Sequence, residues 1–457
     1  MSVPWRSAKI DDIVLSKFNL LALLAILGAT LPAQDRPNFV VILSDDQSWV
    51  GSSVAMDPAD ARSRSDYFRT PGLERLARRG MTFTDGYAPA PFCCPTRRSL
   101  QVGQTPARHL YQQDQQNWPA TYRQQLNIPK LLKAADPRYK LAHFGKWDHR
   151  FDRPLPAEMG YDISDGDTGN GTGGGKGSGG PAASADPKLI DHITGRACGF
   201  LEEQAATGAP FYIQISHYAV HLDIFYRRAT FDLVQPWKVG KKHYFPPFAA
   251  MTADMDASIG RVLDKIDELG LDRNTYIIFL SDNGGRATLP GAGDPPMPRN
   301  HPLRGAKGSM YEGGLRVPFF VAGPGVKPGS LNRTPVSGLD ILPTLADLAD
   351  YPKDLPTTVD GGSLRSVLEG GDAVARQLEF LVFHQSVSRR AQSAIRQGRW
   401  KLVKTWAQNE IELFDLSADI GESNNLAGDR PAKAKELHQA LVGFLSDVGA
   451  ETRKTQD

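Results

Sequence analysis

Phe39-Val40-Val41-Ile42-Leu43-Ser44-Asp45-Asp46-Gln47 is the stretch from which the fold can be read. Its first six residues run without a charged break and are rich in β-branched side chains, as in a strand buried on both faces of a central sheet. The run stops at two adjacent carboxylates. The same pattern returns far downstream, where Tyr276-Ile277-Ile278-Phe279-Leu280 leads into Ser281-Asp282-Asn283-Gly284. Open α/β sheets bind ligands just outside the carboxyl ends of their strands, so Asp45, Asp46, Asp282 and Asn283 are expected to converge. Either cluster alone reads equally well as a turn. Two of them, each behind a buried strand, favour a metal, and hard oxygen donors imply calcium, or magnesium in a tighter cage.

Working outward, Thr70-Pro71 opens a helix through Leu73, Leu76 and Ala77, with Pro at the first helical position, and Gly80 closes it. Helical spacing recurs over 128–135, 187–203, 248–270 and 340–351, while 81–84, 140–147, 211–215 and 317–322 read as strands. Strands alternating with helices predict a doubly wound, largely parallel sheet. From about Asp360 the pattern changes to short hairpin-like strands around 380–383, 394–396, 400–403 and 412–416, with a last helix over 432–448. Residues 165–185 are too rich in glycine to pack a core and read as a flexible surface loop inserted in the catalytic domain.

A chain of 457 residues, 40% of them apolar, can bury a large core. A formal charge of +2 gives no sign of a nucleic-acid partner. Phe18 to Leu31 has the length of a signal-peptide core, too short to span a bilayer, and Pro32-Ala33-Gln34 suits cleavage near Ala33. That reading makes residues 1–33 a signal peptide and the protein secreted or periplasmic, with no stable membrane insertion. The only cysteines are Cys93, Cys94 and Cys198, so this is not a disulfide scaffold; Cys94 and Cys198 could pair if Cys93 is consumed otherwise.

The remaining motif is Pro91-Phe92-Cys93-Cys94-Pro95-Thr96-Arg97-Arg98-Ser99-Leu100, followed by Gly103. A helix beginning near Ser99 places Cys93 beside a helix N-terminus, where backbone N–H groups favour anions. Cys93, Pro95 and Arg97 resemble the Cys-x-Pro-x-Arg signature of the type I sulfatases of the alkaline phosphatase superfamily, with Thr96 at the usual Ser and Val102 at the usual Thr. The resemblance continues in order through Gly145-Lys146-Trp147, Lys307-Gly308-Ser309, Arg396-Gln397-Gly398-Arg399-Trp400-Lys401-Leu402 and Glu412-Leu413-Phe414-Asp415-Leu416, covering roughly residues 36–430. It implies an alkaline-phosphatase-like α/β fold: a large mixed, mostly parallel sheet flanked by helices in a catalytic domain (36–359), with a small C-terminal α+β subdomain (360–457) of antiparallel sheet plus helix.

The resemblance also implies an activity. Cys93 is converted to formylglycine by a formylglycine-generating enzyme, and a hydroxyl of its hydrate attacks sulfur. Asp45, Asp46, Asp282, Asn283 and the modified Cys93 hold one calcium ion. Arg97, Lys146 and Lys307 stabilise the sulfuryl charge, and His221 protonates the leaving alcohol. The family pattern Gly-Lys-Trp-His is broken here, because Asp148 stands at the histidine place and His149 follows it; His149 is expected to reach the site through a bulge, with Asp148 as the alternative. The substrate implied is a sulfated carbohydrate or an aryl sulfate. Two rival readings are a phosphate or phosphonate ester hydrolase of the same superfamily and a non-catalytic sulfated-glycan-binding relative.

Overall fold

In the computed structural model, which describes residues 1–2, 36–110, 120–149, 153–173, 185–386 and 391–452, the opening stretch is a strand, β1 (Asn38–Ser44), with every residue buried. The chain then lays down β2 (Met81–Phe83), β3 (Gly86–Tyr87), β4 (Lys140–Gly145), β5 (Ile163–Ser164) and β6 (Phe211–Ser216). It continues with β7 (Thr275–Ser281), β8 (Phe319–Ala322), β9 (Ser330–Asn332) and β10 (Val336–Ser337). Eight of these form one sheet in the order β5-β4-β6-β1-β7-β8-β2-β9. The pairs around β1 are parallel, and β8 alone runs against its neighbours β7 and β2.

Alternation along the strands feeds two cores. Val40, Ile42, Ile213, Ile215, Ile277 and Phe279 pack with Ile193 of the helix Ile190–Thr207 and Ile259 of the helix Pro246–Glu268. Phe39, Val41, Leu43, Leu141, Ile278 and Leu280 face the opposite way, against Leu100 of the helix Cys93–Val102 and Leu345 of the helix Ile341–Leu348. Each fully buried side chain of this kind contributes about 1.5–3 kcal/mol, which is why β1 carries no polar residue between Asn38 and Ser44.

Register fixes the site. Ser44 pairs with Ser281, while Leu43 and Gly145 both pair with Ser216. Asp45, Asp282, His217 and Lys146 therefore leave the sheet along one rim. Gly145 takes a φ of +89°, and a Cβ there would lie 2.0 Å from the Ser216 carbonyl oxygen. Gly145→Ala is expected to cost roughly 2–3 kcal/mol and to displace Lys146, read as a lower urea midpoint together with reduced turnover; unchanged values for both would refute it.

The C-terminal part forms a second sheet, β11 (Leu381–Gln385), β12 (Gln392–Gln397), β13 (Trp400–Thr405) and β14 (Glu410–Asp415), antiparallel throughout. One face carries Ile395, Leu402 and Leu413 against Leu437, Leu441 and Phe444 of the helix Pro431–Asp447. Its other face sets Phe383, Ala394, Val403 and Phe414 against Tyr87, Met310 and Leu315 of the main body. Residues 37–457 form one compact unit.

Three expectations are corrected. The helix that follows the cysteine motif begins at Cys93 rather than near Ser99, with Pro95 in the first turn, where a missing N–H costs nothing. Phe92 precedes it in extended conformation, and Gly103 ends it in the left-handed region. All three cysteines are free thiols, so Cys94 and Cys198 are not paired. The glycine-rich segment is not loose from its start: Asp165 Oδ2 accepts from the Gly145 N–H at 2.8 Å, and the buried Thr168 accepts from the Trp147 N–H at 2.9 Å. Residues 174–184 lie outside the described residues, as does the expected signal peptide, residues 1–33, beyond its first two residues. No helix among the described residues is long and apolar enough to cross a membrane.

Candidate active site around Cys93

The helix Cys93–Val102 runs under the rim, so its first residue points its thiol at the ends of the central strands. Cys93 Sγ lies 3.5 Å from Asp45 Oδ1 and 3.2 Å from Lys307 Nζ. Single ligand atoms of Asp45, Asp46, Cys93 and His221 all fall within 4.8 Å of one another. Around them the carboxylates and cations interlock. Lys146 Nζ donates to Asp45 Oδ2 at 2.5 Å, and Lys307 donates to Asp46 Oδ1. Arg97 places Nε and Nη2 on Asp282 Oδ2 at 3.1 and 2.8 Å, and its Nη1 on the Lys146 carbonyl at 2.5 Å. Asp282 Oδ1 accepts from the Asp46 N–H at 3.1 Å, and Asn283 Nδ2 donates to Asp46 Oδ1 at 2.8 Å.

Two oxygens stand out. Asp46 Oδ2 and Asn283 Oδ1 are buried acceptors without a hydrogen-bond donor. A buried unsatisfied acceptor costs about 1–3 kcal/mol. Hard oxygens left over at the tips of two adjacent strands fit a divalent cation of the calcium or magnesium type. Asp282 is less open, since Arg97 and a backbone N–H already occupy its oxygens.

The electrostatics follow from burial and from this packing. Burial, then Asp282 and Asp45, push the Cys93 thiol well above its usual range. A buried thiol facing two carboxylates is a poor thiolate nucleophile as it stands. Burial alone would raise Asp45, but Lys146, His221, Arg97 and Lys307 together hold it well below the usual carboxylate range. Burial and Asp45 push Asp282 up to about 6 against the pull of Arg97 and Lys146. Burial would lower Lys146 and Lys307; Asp45 and Cys93 for the former, and Cys93 and Asp46 for the latter, keep both above the ordinary lysine value.

Of the residues expected from sequence, Cys93, Arg97, Lys146, Lys307, Asp45, Asp46, Asp282 and Asn283 come together. His221 joins them, with Nε2 3.8 Å from Asp46 Oδ2 and Nδ1 2.5 Å from the Leu222 carbonyl. His149 does not. Asp148 adopts a left-handed φ of 53°, which aspartate tolerates better than most residues, and this turns its carboxylate to within 3.5 Å of Lys146 Nζ. The next side chain then swings behind, so His149 stacks on Trp147 at 3.9 Å and sets Nδ1 on the Trp147 carbonyl at 3.0 Å.

Burial, then Arg98, pushes His149 down to about 3. It is neutral in the folded chain and takes up a proton near pH 6.5 when unfolded, so the stability it contributes is present above that pH and falls as acid is added, by about 2 kcal/mol at about pH 5. His149→Phe, which keeps the stacking, should shrink the loss of stability between neutral and about pH 5 by that amount in urea titrations. An unchanged pH dependence would refute the assignment.

Lys188 and Thr168 had no signal in the sequence, and His217 only its place at the end of a buried strand. Lys188 is buried on a left-handed residue, with its ammonium 5.3 Å from the Phe225 ring, where burial pushes it down to about 8. His217 is wholly buried, with both ring nitrogens lacking a hydrogen-bond partner. Thr168 carries the turn after β4 through bonds to Gly145 and Trp147. Glycines of the Lys307 motif serve close chain-to-chain approach: a Cβ on Gly313 would meet the Gly305 carbonyl at 2.3 Å, and one on Gly314 the Ser309 carbonyl at 2.2 Å.

The family model described as Sulfatase matches residues 37–351, and one described as N-sulphoglucosamine sulphohydrolase, C-terminal, matches residues 306–448. Among curated proteins the chain is similar to a sulfatase of Formosa agariphila, 27% identical over 97% of this chain and 95% of the relative. It is also 27% identical to human arylsulfatase A, over 92% and 89% of the two chains. Among solved structures it is similar to Ps i-CgsB in complex with k-i-k-neocarrahexaose, with a TM-score of 0.74 and 23% identity over 90% of this chain and 93% of that one. At that identity the likeness concerns the fold.

Proposed function

The chain belongs to the sulfatase family and is a sulfuric ester hydrolase, and from that premise we propose that it removes sulfate from sulfated glycans, with Cys93 converted to formylglycine and one calcium ion bound beside it. The observation that carries this reading is the setting of Cys93 Sγ, 3.5 Å from Asp45 Oδ1 and 3.2 Å from Lys307 Nζ, next to the donorless oxygens of Asp46 and Asn283. The formylglycine hydrate would supply a hydroxyl nucleophile, and the cation a Lewis acid for the sulfuryl oxygens. Asp45, Asp46, Asn283 and Asp282 hold the cation in this reading.

The chain's own groups do the rest. Arg97 braces Asp282 and the Lys146 carbonyl, so neither can turn away. Lys146 and Lys307 approach from two sides and bind the anion's oxygens, as preorganised donors in a water-poor site. Asp148, with Oδ2 3.5 Å from the Lys146 ammonium, holds it in place in this assignment. His221, at the open side with Nε2 towards Asp46, gives a proton to the departing alcohol oxygen. An activated aryl leaving group needs no such proton. His221→Ala is therefore expected to reduce alkyl sulfate turnover about a hundredfold and aryl sulfate turnover far less, measured as kcat/KM; equal losses would refute the acid role.

Support for a glycan substrate comes from relatives: the C-terminal model is that of a sulphoglucosamine hydrolase, and Ps i-CgsB is seen with an oligosaccharide. A secreted or periplasmic location fits a polymeric substrate and rests on residues 18–33. The test is to make the protein with and without a formylglycine-generating enzyme and compare the mass of the Cys93 peptide with sulfate release. Conversion of the thiol accompanied by release supports the reading. Release from protein whose Cys93 remains a thiol overturns it, and faster cleavage of a phosphonate than of a sulfate ester of the same alcohol favours the rival hydrolase.

A further inference from the structure

A cavity of about 590 Å³ opens among the segments 53–69, 238–242 and 297–301. Six cationic side chains line it, Arg62, Arg64, Arg69, Lys238, Lys241 and Lys242, against the single carboxylate of Asp66. That carboxylate is already taken by the backbone N–H groups of Lys241, Lys242 and His243, at 2.6, 3.0 and 3.1 Å. Lys242 is buried and points its ammonium at the carbonyls of Arg62 and Arg64, at 2.7 and 2.8 Å, so its charge stays in the wall with no salt bridge among the described residues. Arg62 is paired with Asp60, and Arg69 lies 4.4 Å over the Trp237 ring. Arg64, Lys238 and Lys241 are exposed and carry no ion pair among the described residues.

This concentration is local, since the whole chain has a formal charge of only +2. A concave wall of one sign focuses the field and draws in an anion. The cavity's size suits a sugar unit rather than a lone ion. Ser53 on its wall follows Asp46 by seven residues, and His301 precedes Lys307 by six, so the chain itself holds the cavity within about 25 Å of the reaction centre, a span of a few sugar units. A nucleic acid would call for a basic surface along the whole domain, which the near-neutral chain lacks.

We propose that this cavity is a second anion subsite, which grips a sulfate or carboxylate group on another unit of a polyanionic glycan while the ester to be cleaved sits at Cys93. The proposal rests on the glycan reading above and adds a polymer-binding site to it. Its test is the triple variant Arg64→Glu, Lys238→Glu, Lys241→Glu. In the Cys93→Ala background, binding of end-labelled dextran sulfate oligosaccharides should weaken roughly tenfold and lose most of its salt dependence, with binding of single-stranded DNA weak before and after. With Cys93 intact, turnover of a small aryl sulfate should stay within about twofold of the parent. The milder Arg64→Gln, Lys241→Gln pair, which removes charge without reversing it, should weaken dextran sulfate binding about threefold and guards against a folding defect in the triple variant. Unchanged dextran sulfate binding in both variants, or a larger loss for DNA, overturns the subsite. The binding arm needs no turnover, so it holds or fails separately from the sulfatase mechanism.

Discussion

Cys93→Ala is expected to lower sulfate release about a thousandfold or more, with the urea midpoint almost unmoved. The side chain is small and buried at the start of a helix, so its loss opens little space. Its removal takes away the one group placed between the carboxylate tips and Lys307. What remains, Arg97 and the two lysines, can still bind sulfate, so anion affinity should persist while turnover fails. Cys198→Ala, on the helix Ile190–Thr207, should leave turnover intact. Residual activity above about a tenth in the Cys93 variant would remove this residue from the chemistry.

The second large effect concerns stability. Lys401 on β13 is wholly buried, with Nζ 2.8 Å from both Glu312 Oε1 and Glu422 Oε1. Arg316 Nε holds the other oxygen of Glu312 at 2.6 Å, and Tyr87 donates to it at 2.8 Å. Lys401→Met keeps the volume and leaves the buried Glu422 without its cation, while Glu312 keeps Arg316 and Tyr87. Removing one partner of such a group costs about 3–5 kcal/mol, far more than an exposed pair. Burial and Glu312 already push Glu422 up to about 7 against the pull of Lys401, so the strained acid would become protonated in the variant. Adding Glu422→Gln should therefore restore part of the loss, in a double-mutant cycle read by urea denaturation. An additive pair would refute the coupling.

Much of this was legible in the residues themselves. The unbroken apolar run before Asp45 and its counterpart before Asp282 give away a central parallel sheet, because only a strand covered on both faces dispenses with polar alternation. The carboxyl-end rule then brings the two acidic tips together. What escaped was set by backbone rather than by side-chain type. No periodicity announces that Asp148 turns left-handed and sends His149 behind Trp147, or that Lys188 is buried. Thr168 lies at the head of a glycine-rich stretch, whose composition speaks only for the residues after it. The helix expected near Ser99 starts at Cys93, because Pro95 is no obstacle in a first helical turn.

Lys307 sits on a segment clamped from the far end of the sequence: Arg304 reaches Glu412 at 2.9 Å, and Gln385 Nε2 donates to the Gly308 carbonyl at 3.1 Å. A ribosome making this chain from its N-terminus completes the acidic tips and Cys93 long before it reaches β14. A polypeptide cut short by a stop codon between Lys307 and Gln385 would thus own every reactive side chain and still hold Lys307 loosely. Such a truncated chain is expected to release sulfate more slowly than the complete one, because the segment carrying Lys307 has lost its clamp.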